Sequence, residues 1–315
     1  MRVLLIVNAF ASSVTARSMV VIRKAFSADH DVEMVETSRR GHAARLARGA
    51  ANEGVDVVVV MGGDGTLNEA ANGLLDTDTA LGVLPGGSTN VFARTIGLPN
   101  DPIESTGVLL DALAKGSIRR VGLGAVNGRC FLFHTGLGFD AAVVEQVERR
   151  SSLKRYAGHP LFIYAGFSTW FRHYDTSRPR MAVRLPDGRT VDDGYFTIVL
   201  NTSPYTFLGN RPLDLTPEAT LDTGLSVVVV RTMAFAKVLG LIGSALGSGR
   251  HLRSSKHALL AHDLAELDVT GHGPLPYQVD GDFLGQGEEF RFEHRRDALN
   301  LVLPAGPPSP SPARW

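Results

Sequence analysis

The segment that most constrains the fold is Val55–Leu67. Val55–Met61 is almost wholly apolar, and Gly62-Gly63-Asp64-Gly65-Thr66 follows at once, before a helical stretch Leu67–Leu75. An apolar strand without polar alternation is buried on both faces, the habit of a parallel sheet covered by helices. Closely spaced glycines let successive backbone N–H groups converge on an anion, and the helix N-terminus adds a positive partial charge. Asp64 would repel a bare phosphate, so it makes sense where it addresses a metal ion or the metal's water shell. A tight strand-to-helix turn capped by Asp64 is the plain structural alternative. No G-x-x-x-x-G-K-[ST] loop occurs, which excludes a Walker A site.

The neighbouring segments repeat the pattern. Strands are predicted at Val3–Asn8, Asp31–Thr37 and Leu81–Leu84, with helices at Ala16–Ala28 and Ala43–Asn52. A second glycine loop, Gly86-Gly87-Ser88-Thr89-Asn90, follows the Leu81–Leu84 strand. Two such loops on adjacent parallel strands share the carboxyl edge of the sheet, where open α/β sheets bind ligands. Ser88 and Thr89 add hydroxyl donors for a nucleotide or its phosphates.

Beyond about residue 125 the pattern changes. Arg129–Thr135 reads as a strand, and helical stretches follow at Ala141–Arg150 and Leu161–His173. Pro186-Asp187-Gly188 signals a hairpin. Short strands are expected at Tyr195–Leu200, Leu225–Val230, Leu264–Thr270, Tyr277–Val279, Glu289–Glu293 and Leu299–Leu303. Phe235–Leu246, apolar on most sides, reads as a core helix rather than a membrane anchor. The expected architecture is an α/β domain with a parallel sheet over residues 1–125 and an antiparallel β-sandwich or barrel domain over 126–297. The Pro/Ser-rich stretch 304–315 is expected to be disordered. Gly136-Leu137-Gly138-Phe139-Asp140-Ala141 fits G-x-G-x-x-A. No acidic residue ends a strand about 20 residues later, so a close-packed strand-to-helix turn is the better reading.

Composition removes several function classes. Lys+Arg 32 balances Asp+Glu 32, which argues against a nucleic-acid partner. One cysteine excludes a disulfide framework and any multi-cysteine metal site. Val3–Val7 is too short for the apolar core of a signal peptide, and no apolar run reaches the ~18 residues of a membrane span. A cytoplasmic protein is expected, with Asn201-Thr202-Ser203 irrelevant as a glycosylation sequon. The 34 glycines in 315 residues are a surplus whose clearest concentration is the two loops.

Gly62-Gly63-Asp64-Gly65-Thr66-Leu67-Asn68-Glu69 resembles the signature of the diacylglycerol kinase catalytic-domain family, which includes bacterial lipid kinases and the sphingosine and ceramide kinases. Leu84–Asn90 with Phe92-Ala93-Arg94 is similar to its second motif, and Gly136–Ala141 to a third. Asn201 fits a fourth block. Asp222-Thr223-Gly224-Leu225 resembles an Asp-Asp-Gly-Leu turn, and Val279-Asp280-Gly281-Asp282 an Asp-Gly-Glu motif. The matches keep the family's order from about residue 3 to 303.

The resemblance implies an ATP-binding α/β domain, a β-rich lipid-substrate domain, and a last strand, about 298–303, that returns to the first domain. It implies transfer of the ATP γ-phosphoryl group to a lipid hydroxyl, with diacylglycerol the leading acceptor. Asp282 would be the general base, with Asp280 orienting its loop. Gly62, Gly63, Gly65, Thr66 and Asn68 would cradle phosphates, with Asp64 serving Mg2+. Asn8, Thr37, Glu69, Gly87, Ser88 and Thr89 complete the expected nucleotide set. Asp222 is either part of a structural magnesium site or a turn residue. Lys154 and Arg155 match a basic position of the family and could meet phosphate or lipid head groups at the inner membrane surface, or form a solvated helix end. Apart from the resemblance, the local basic cluster Gly249-Arg250-His251 with Arg253 and Lys256 is either a solvated face or one that meets an anionic membrane. A homodimer through an edge strand is conceivable.

Four departures stand out, one being Asp282, a methylene shorter than the family's Glu. The first loop, Asn8-Ala9-Phe10-Ala11-Ser12, lacks the family's proline and glycine. Val91 and Gly122 stand where the family commonly has Asp. The alternatives are therefore a kinase of another lipid acceptor, such as a sphingoid base, or a degenerate lipid- or nucleotide-binding module. NAD kinase and phosphofructokinase share the Gly-Gly-Asp-Gly loop, but the later motifs fit the lipid kinases better.

Overall fold

The computed structural model describes residues 1–149, 165–166, 168–170 and 174–306. The chain divides into two compact units. The first is Met1–Val121 with the described residues from Arg296 onward, and the second is Gly122–Arg295. The divisions fall inside strands. β5 (Ile118–Val126) starts in the first unit and ends in the second, and β16 (Asp282–Val302) does the reverse. Asp297, at φ 49°, lies where β16 crosses.

The first unit is a parallel sheet in the order β2 (Asp31–Glu36), β1 (Arg2–Val7), β3 (Val57–Gly62), β4 (Ala80–Pro85), with the end of β16 added at the edge. Asn300 and Leu301 pair in parallel with Ala80 and Leu81. On one face Leu5, Val7, Val59 and Met61 bury against Ile22 and Phe26 of α1 (Ala16–Phe26) and Leu109 and Leu113 of α5 (Pro102–Ala114). The alternate residues Leu4, Ile6, Val58 and Val60 are also buried, since α2 (His42–Asn52) and α3 (Asp64–Leu74) cover the other face. Double coverage is why β3 is apolar at every position. α1 opens on a Thr15/Ser18 capping box, and α5 on Asp101, whose carboxylate accepts from Ile103 and Glu104 N–H, with Pro102 at the first helical position.

α3 starts at Asp64, three residues before the expected Leu67. Asp64-Gly65-Thr66 is thus the first helical turn rather than a loop.

The second unit is antiparallel. β14 (Ala258–Leu264), β13 (Leu225–Val230), β10 (Phe196–Leu200), β7 (His134–Leu137), β15 (Glu266–Val279) and β16 follow one another. β8 (Met181–Arg184) pairs with β15 and β9 (Thr190–Gly194), and β5 with β6 (Arg129–Phe131). The β8–β9 hairpin turns at Asp187-Gly188, with Gly188 at φ 85°. β13 lies between two cores. Val227 and Val229 face one formed with Phe290 and Phe292, while Val228 and Val230 face Phe196, Ile198 and α7 (Phe235–Ala245).

Three expectations need correction. Arg129–Thr135 is broken into β6 and β7 at Leu132-Phe133. Leu264–Thr270 and Tyr277–Val279 belong largely to the single strand β15, and Glu289–Glu293 and Leu299–Leu303 to β16. α7 buries only Val238, Leu241 and Ala245, so it is not a core helix on all sides. Among the described residues no helix is long and apolar enough to cross a membrane. Lys154, Arg155 and most of the expected helix Leu161–His173 lie outside the described residues, as does 307–315 of the expected tail.

Candidate active site

In the first unit the two glycine loops press backbone against backbone. Gly86 N–H donates to Gly62 O at 2.9 Å. A Cβ on Gly86 would come within 2.8 Å of Gly62 N and Cα, and one on Gly87 within 2.9 Å of Gly63 Cα. Neither neighbour is a side chain that could swing aside, so both positions require glycine. The first turn of α3 opens beside this junction. Its first N–H groups have no intrahelical acceptor, and a turn of this kind can receive an anion.

The loop after β1 packs onto the same place. Asn8 Nδ2 donates to Thr66 Oγ1 at 2.9 Å, and Asn8 Oδ1 accepts from Phe10 N–H. Ser13 N–H donates to Gly86 O, and Ser13 Oγ to Gly87 O. Ser13 was not singled out in sequence, and its residue type alone carried no signal. Thr37, just past β2, is half-buried and donates its N–H to Val7 O. Ser88 is exposed and Thr89 half-buried.

Asp64 faces the second loop. Its Oδ2 accepts from Val91 N–H at 3.0 Å and its Oδ1 from Phe92 N–H at 3.1 Å. These are the opening donors of α4 (Val91–Thr95), whose own N-cap Asn90 makes no side-chain cap. Asn90 instead turns back, accepting from Gly87 N–H at 2.7 Å and donating to Gly87 O and to Asn100. Asp64 therefore joins the two loops. Glu69 has an analogous task elsewhere. Its carboxylate accepts from Gly41 and Ala43 N–H, capping α2, which takes it away from the expected nucleotide set. Asn68 is buried, with Asn72 donating to its backbone and side-chain oxygens.

In the second unit Asp280-Gly281 forms the two-residue turn between β15 and β16, both residues at positive φ (49° and 80°). That is the Asp-Gly hairpin geometry. Asp280 is 2% exposed. Its carboxylate accepts from Leu132, Phe133 and His134 N–H at 2.7, 3.0 and 3.1 Å. This triple acceptance interrupts the expected Arg129–Thr135 strand. Asp282, by contrast, is only half-buried. Its peptide is held on both sides. Gly281 N–H donates to Gln278 Oε1 at 2.8 Å, and Phe283 N–H to Glu148 Oε1 at 2.9 Å, from the end of α6 (Phe139–Glu148).

Behind the turn Gln278 Nε2 donates to Asp140 Oδ2 at 2.8 Å, and Tyr205 Oη donates to Asp140 Oδ1. Burial raises the Asp140 carboxyl, with the Tyr205 and Gln278 hydrogen bonds opposing it, and burial with the Asp140 charge pushes Tyr205 well above its usual value. His134 lies against the Tyr205 ring, centroids 4.5 Å apart. Burial drives its imidazole down to about 3, so it is neutral. Gly138 caps α6 at φ 83°, which gives Gly136–Ala141 the close-packed strand-to-helix turn expected of it.

The family described as the diacylglycerol kinase catalytic domain matches residues 2–126. "Diacylglycerol kinase" of Staphylococcus carnosus is 27% identical over 273 residues, covering 84% of this chain and 83% of its own. "Probable lipid kinase YegS-like" of Pseudomonas aeruginosa (strain UCBPP-PA14) is 31% identical over 270 residues, covering 85% of this chain and 83% of its own. The chain belongs to the diacylglycerol kinase family. It is a lipid kinase. A solved diacylglycerol kinase from Bacillus anthracis str. Sterne superposes with a TM-score of 0.67 at 20% identity, covering 96% of each chain. An NAD kinase from Archaeoglobus fulgidus in complex with ATP gives 0.54 at 12%, covering 97% and 94%. At those identities the two likenesses show the fold.

In this lipid kinase the departures have visible causes. Val91 contributes its backbone N–H to Asp64 while its side chain is 4% exposed. A Cβ on Gly122 would overlap the His294 imidazole, so a carboxylate there would have to displace that ring. Asp222 is an exposed residue of the Thr220–Thr223 turn, its N–H donating to Thr220 Oγ1. Among the described residues no trio of His, Cys, Asp or Glu forms a metal cluster. Asn201 is fully buried, donating to Leu132 O at 3.1 Å, which keeps the sequon inaccessible in the folded unit.

Proposed function

We propose that this lipid kinase moves the γ-phosphoryl group of ATP to the hydroxyl of a lipid alcohol, with diacylglycerol the first acceptor to consider. The observation that carries the reading is the glycine-on-glycine junction, which no side chain can enter, beside the first turn of α3, whose opening N–H groups have no intrahelical acceptor. The phosphates lie on the first turn of α3, and Asn8, Thr37, Ser88 and Thr89 surround the nucleotide. Asp282 acts as general base. It takes the acceptor's hydroxyl proton as the new O–P bond forms and the bond to the departing ADP breaks. Gln278 and Glu148 hold the N–H groups of its chain neighbours Gly281 and Phe283.

Magnesium fits these residues in one form. Mg2+ is usually bound through substrate phosphates, retained waters and one or two carboxylates rather than an all-protein cage. Asp64 gives one lone pair of each oxygen to a backbone N–H, and a carboxylate has about four acceptor sites. Asp64 can thus also accept from a metal-bound water. The ion would neutralise charge on the phosphates. A lipid acceptor also places the enzyme at a membrane surface, the inner one for a cytoplasmic protein that uses ATP.

The second reading, a binding module that has lost transfer, is favoured by Val91 and by His294 over Gly122. The test is labelled ATP with Mg2+ and a panel of detergent-dispersed lipid alcohols, including diacylglycerol and a sphingoid base. At least one acceptor is expected to be labelled. Asp282→Asn should lower turnover by about 10² or more without moving the melting temperature. ATP binding with no labelled acceptor would select the binding module.

A further inference from the structure

α7 of the second unit shares no residue with either constellation above. Its inner stripe, Val238, Leu241 and Ala245, is buried against β10 and β13. The stripe beside it, turned outward, is apolar too. Phe235, Leu239 and Ile242, spaced i, i+4 and i+7, are 38%, 47% and 41% exposed. Gly240 and Gly243 lie on the same outer side and are exposed. Three large apolar side chains on one helix face form a patch rather than scattered exposure.

The surroundings of this stripe are basic. From Thr223 to His262 the chain has no Asp or Glu, in a protein whose charges otherwise balance. α8 (Arg250–Ser254) packs back onto α7. Leu252 N–H donates to Ser244 Oγ at 3.0 Å, and His251 Nε2 is 3.8 Å from where a Gly240 Cβ would be. His257 is held below its usual value by desolvation and then by Lys237, Lys256, His251 and Arg231, so these cations share one neighbourhood. Two acids face the group. Asp193 pairs with Arg231 at 2.7 Å, and Glu218 feels Arg253. Lys237, Arg250 and Lys256 are exposed and have no ion pair among the described residues.

We infer that the outer face of α7, with the cations around it, docks the enzyme onto an anionic bilayer surface. This deepens the lipid-kinase reading by naming where the enzyme meets the membrane. At 11 residues the helix is about 16 Å long, too short to span a ~30 Å hydrocarbon layer. It suits the interface plane, apolar stripe down and cations at head-group level. A second copy of the chain is the poorer occupant. A two-fold interface sets a patch against itself and would bring like charges together, whereas anionic lipid complements them.

Sedimentation of the full chain with sucrose-loaded vesicles tests this, comparing phosphatidylcholine alone with phosphatidylcholine plus phosphatidylglycerol at low and high salt. Binding is expected to the anionic vesicles only, weakening with salt. Lys256→Ala should weaken it about fivefold. Leu239→Glu should weaken it at least about tenfold, with Ile242→Ser as a milder companion, while keeping the wild-type melting temperature. Leu239→Glu should keep wild-type rate on an acceptor dispersed as monomers and lose rate on one embedded in vesicles. Equal binding to both vesicle types, or full binding by Leu239→Glu, overturns the proposal. So does a wild-type dimer that Leu239→Glu converts to monomers. Wild-type protein that binds anionic vesicles yet labels no dispersed acceptor would leave the docking surface standing and remove the kinase reading.

Discussion

The Asp140 carboxylate occupies the space that a side chain on Gly136 would fill, since a Cβ built there overlaps Oδ2. Asp140 is the second residue of α6 and Gly136 is one residue from the end of β7, so the tight turn brings the carboxylate under the strand. From there it holds Gln278, whose other amide end holds Gly281 N–H. The G-x-G spacing is thus tied to the Asp280–Asp282 turn by two hydrogen bonds.

Gly136→Ala should push Asp140 off Gln278. Overpacking of this kind costs about 1–3 kcal/mol. The melting temperature should fall by several degrees, and turnover should fall more than the stability loss explains, because Gly281 loses its anchor. Thermal melts and turnover on the same preparation check both.

Asp140→Asn keeps the shape and changes the donors. The new amide can still accept from Tyr205 but presents N–H to Gln278 Nε2. A flip of Gln278 would relieve that clash and turn its amide nitrogen toward Gly281 N–H. The expected result is a lower kcat with KM for ATP unchanged, since no contact of the glycine loops is altered. A uniform change in KM and kcat would contradict the positioning role.

His134 predicts acid sensitivity. Its folded value is about 3, against 6.5 for an ordinary imidazole. The unfolded chain therefore binds the proton first, and stability is lost as pH falls from about 6.5 toward 3. Between pH 7 and 4.5 this group alone should remove roughly 2–3 kcal/mol. Asp140, raised by burial, acts in the opposite sense: its contribution is present below the unfolded value and lost as pH rises through the folded one. Urea midpoints at the two pH values should differ less in His134→Gln than in wild type.

Asp64→Asn should damage more than metal handling. One of the Val91 and Phe92 N–H groups would face an amide N–H, and loss of a cap costs about 1 kcal/mol. A lower melting temperature without nucleotide is expected, alongside loss of transfer. An unchanged melt would show that the cap is dispensable.

Gly86→Ala has no flexible neighbour to push aside, because the nearest atoms are Gly62 N and Cα. ATP affinity by calorimetry should collapse, with a stability loss of about 1–3 kcal/mol.

Much of this was readable from residue order alone. The apolar runs of β1, β3 and β4 announced a doubly covered parallel sheet, because burying both faces leaves no room for polar alternation. Pro186-Asp187-Gly188 announced the β8–β9 hairpin. Tertiary structure decided the rest, and in each instance the reason is a partner distant in sequence. Asp64 caps a helix 27 residues on, and Glu69 one 26 residues back, because folding leaves those backbone donors without acceptors. Asp280 breaks a strand that it follows by nearly 150 residues. The hydrophobicity of α7 showed that it was apolar but not which side would be covered. Periodicity is a local signal, whereas exposure of Leu239 depends on where β10, β13 and α8 come to rest.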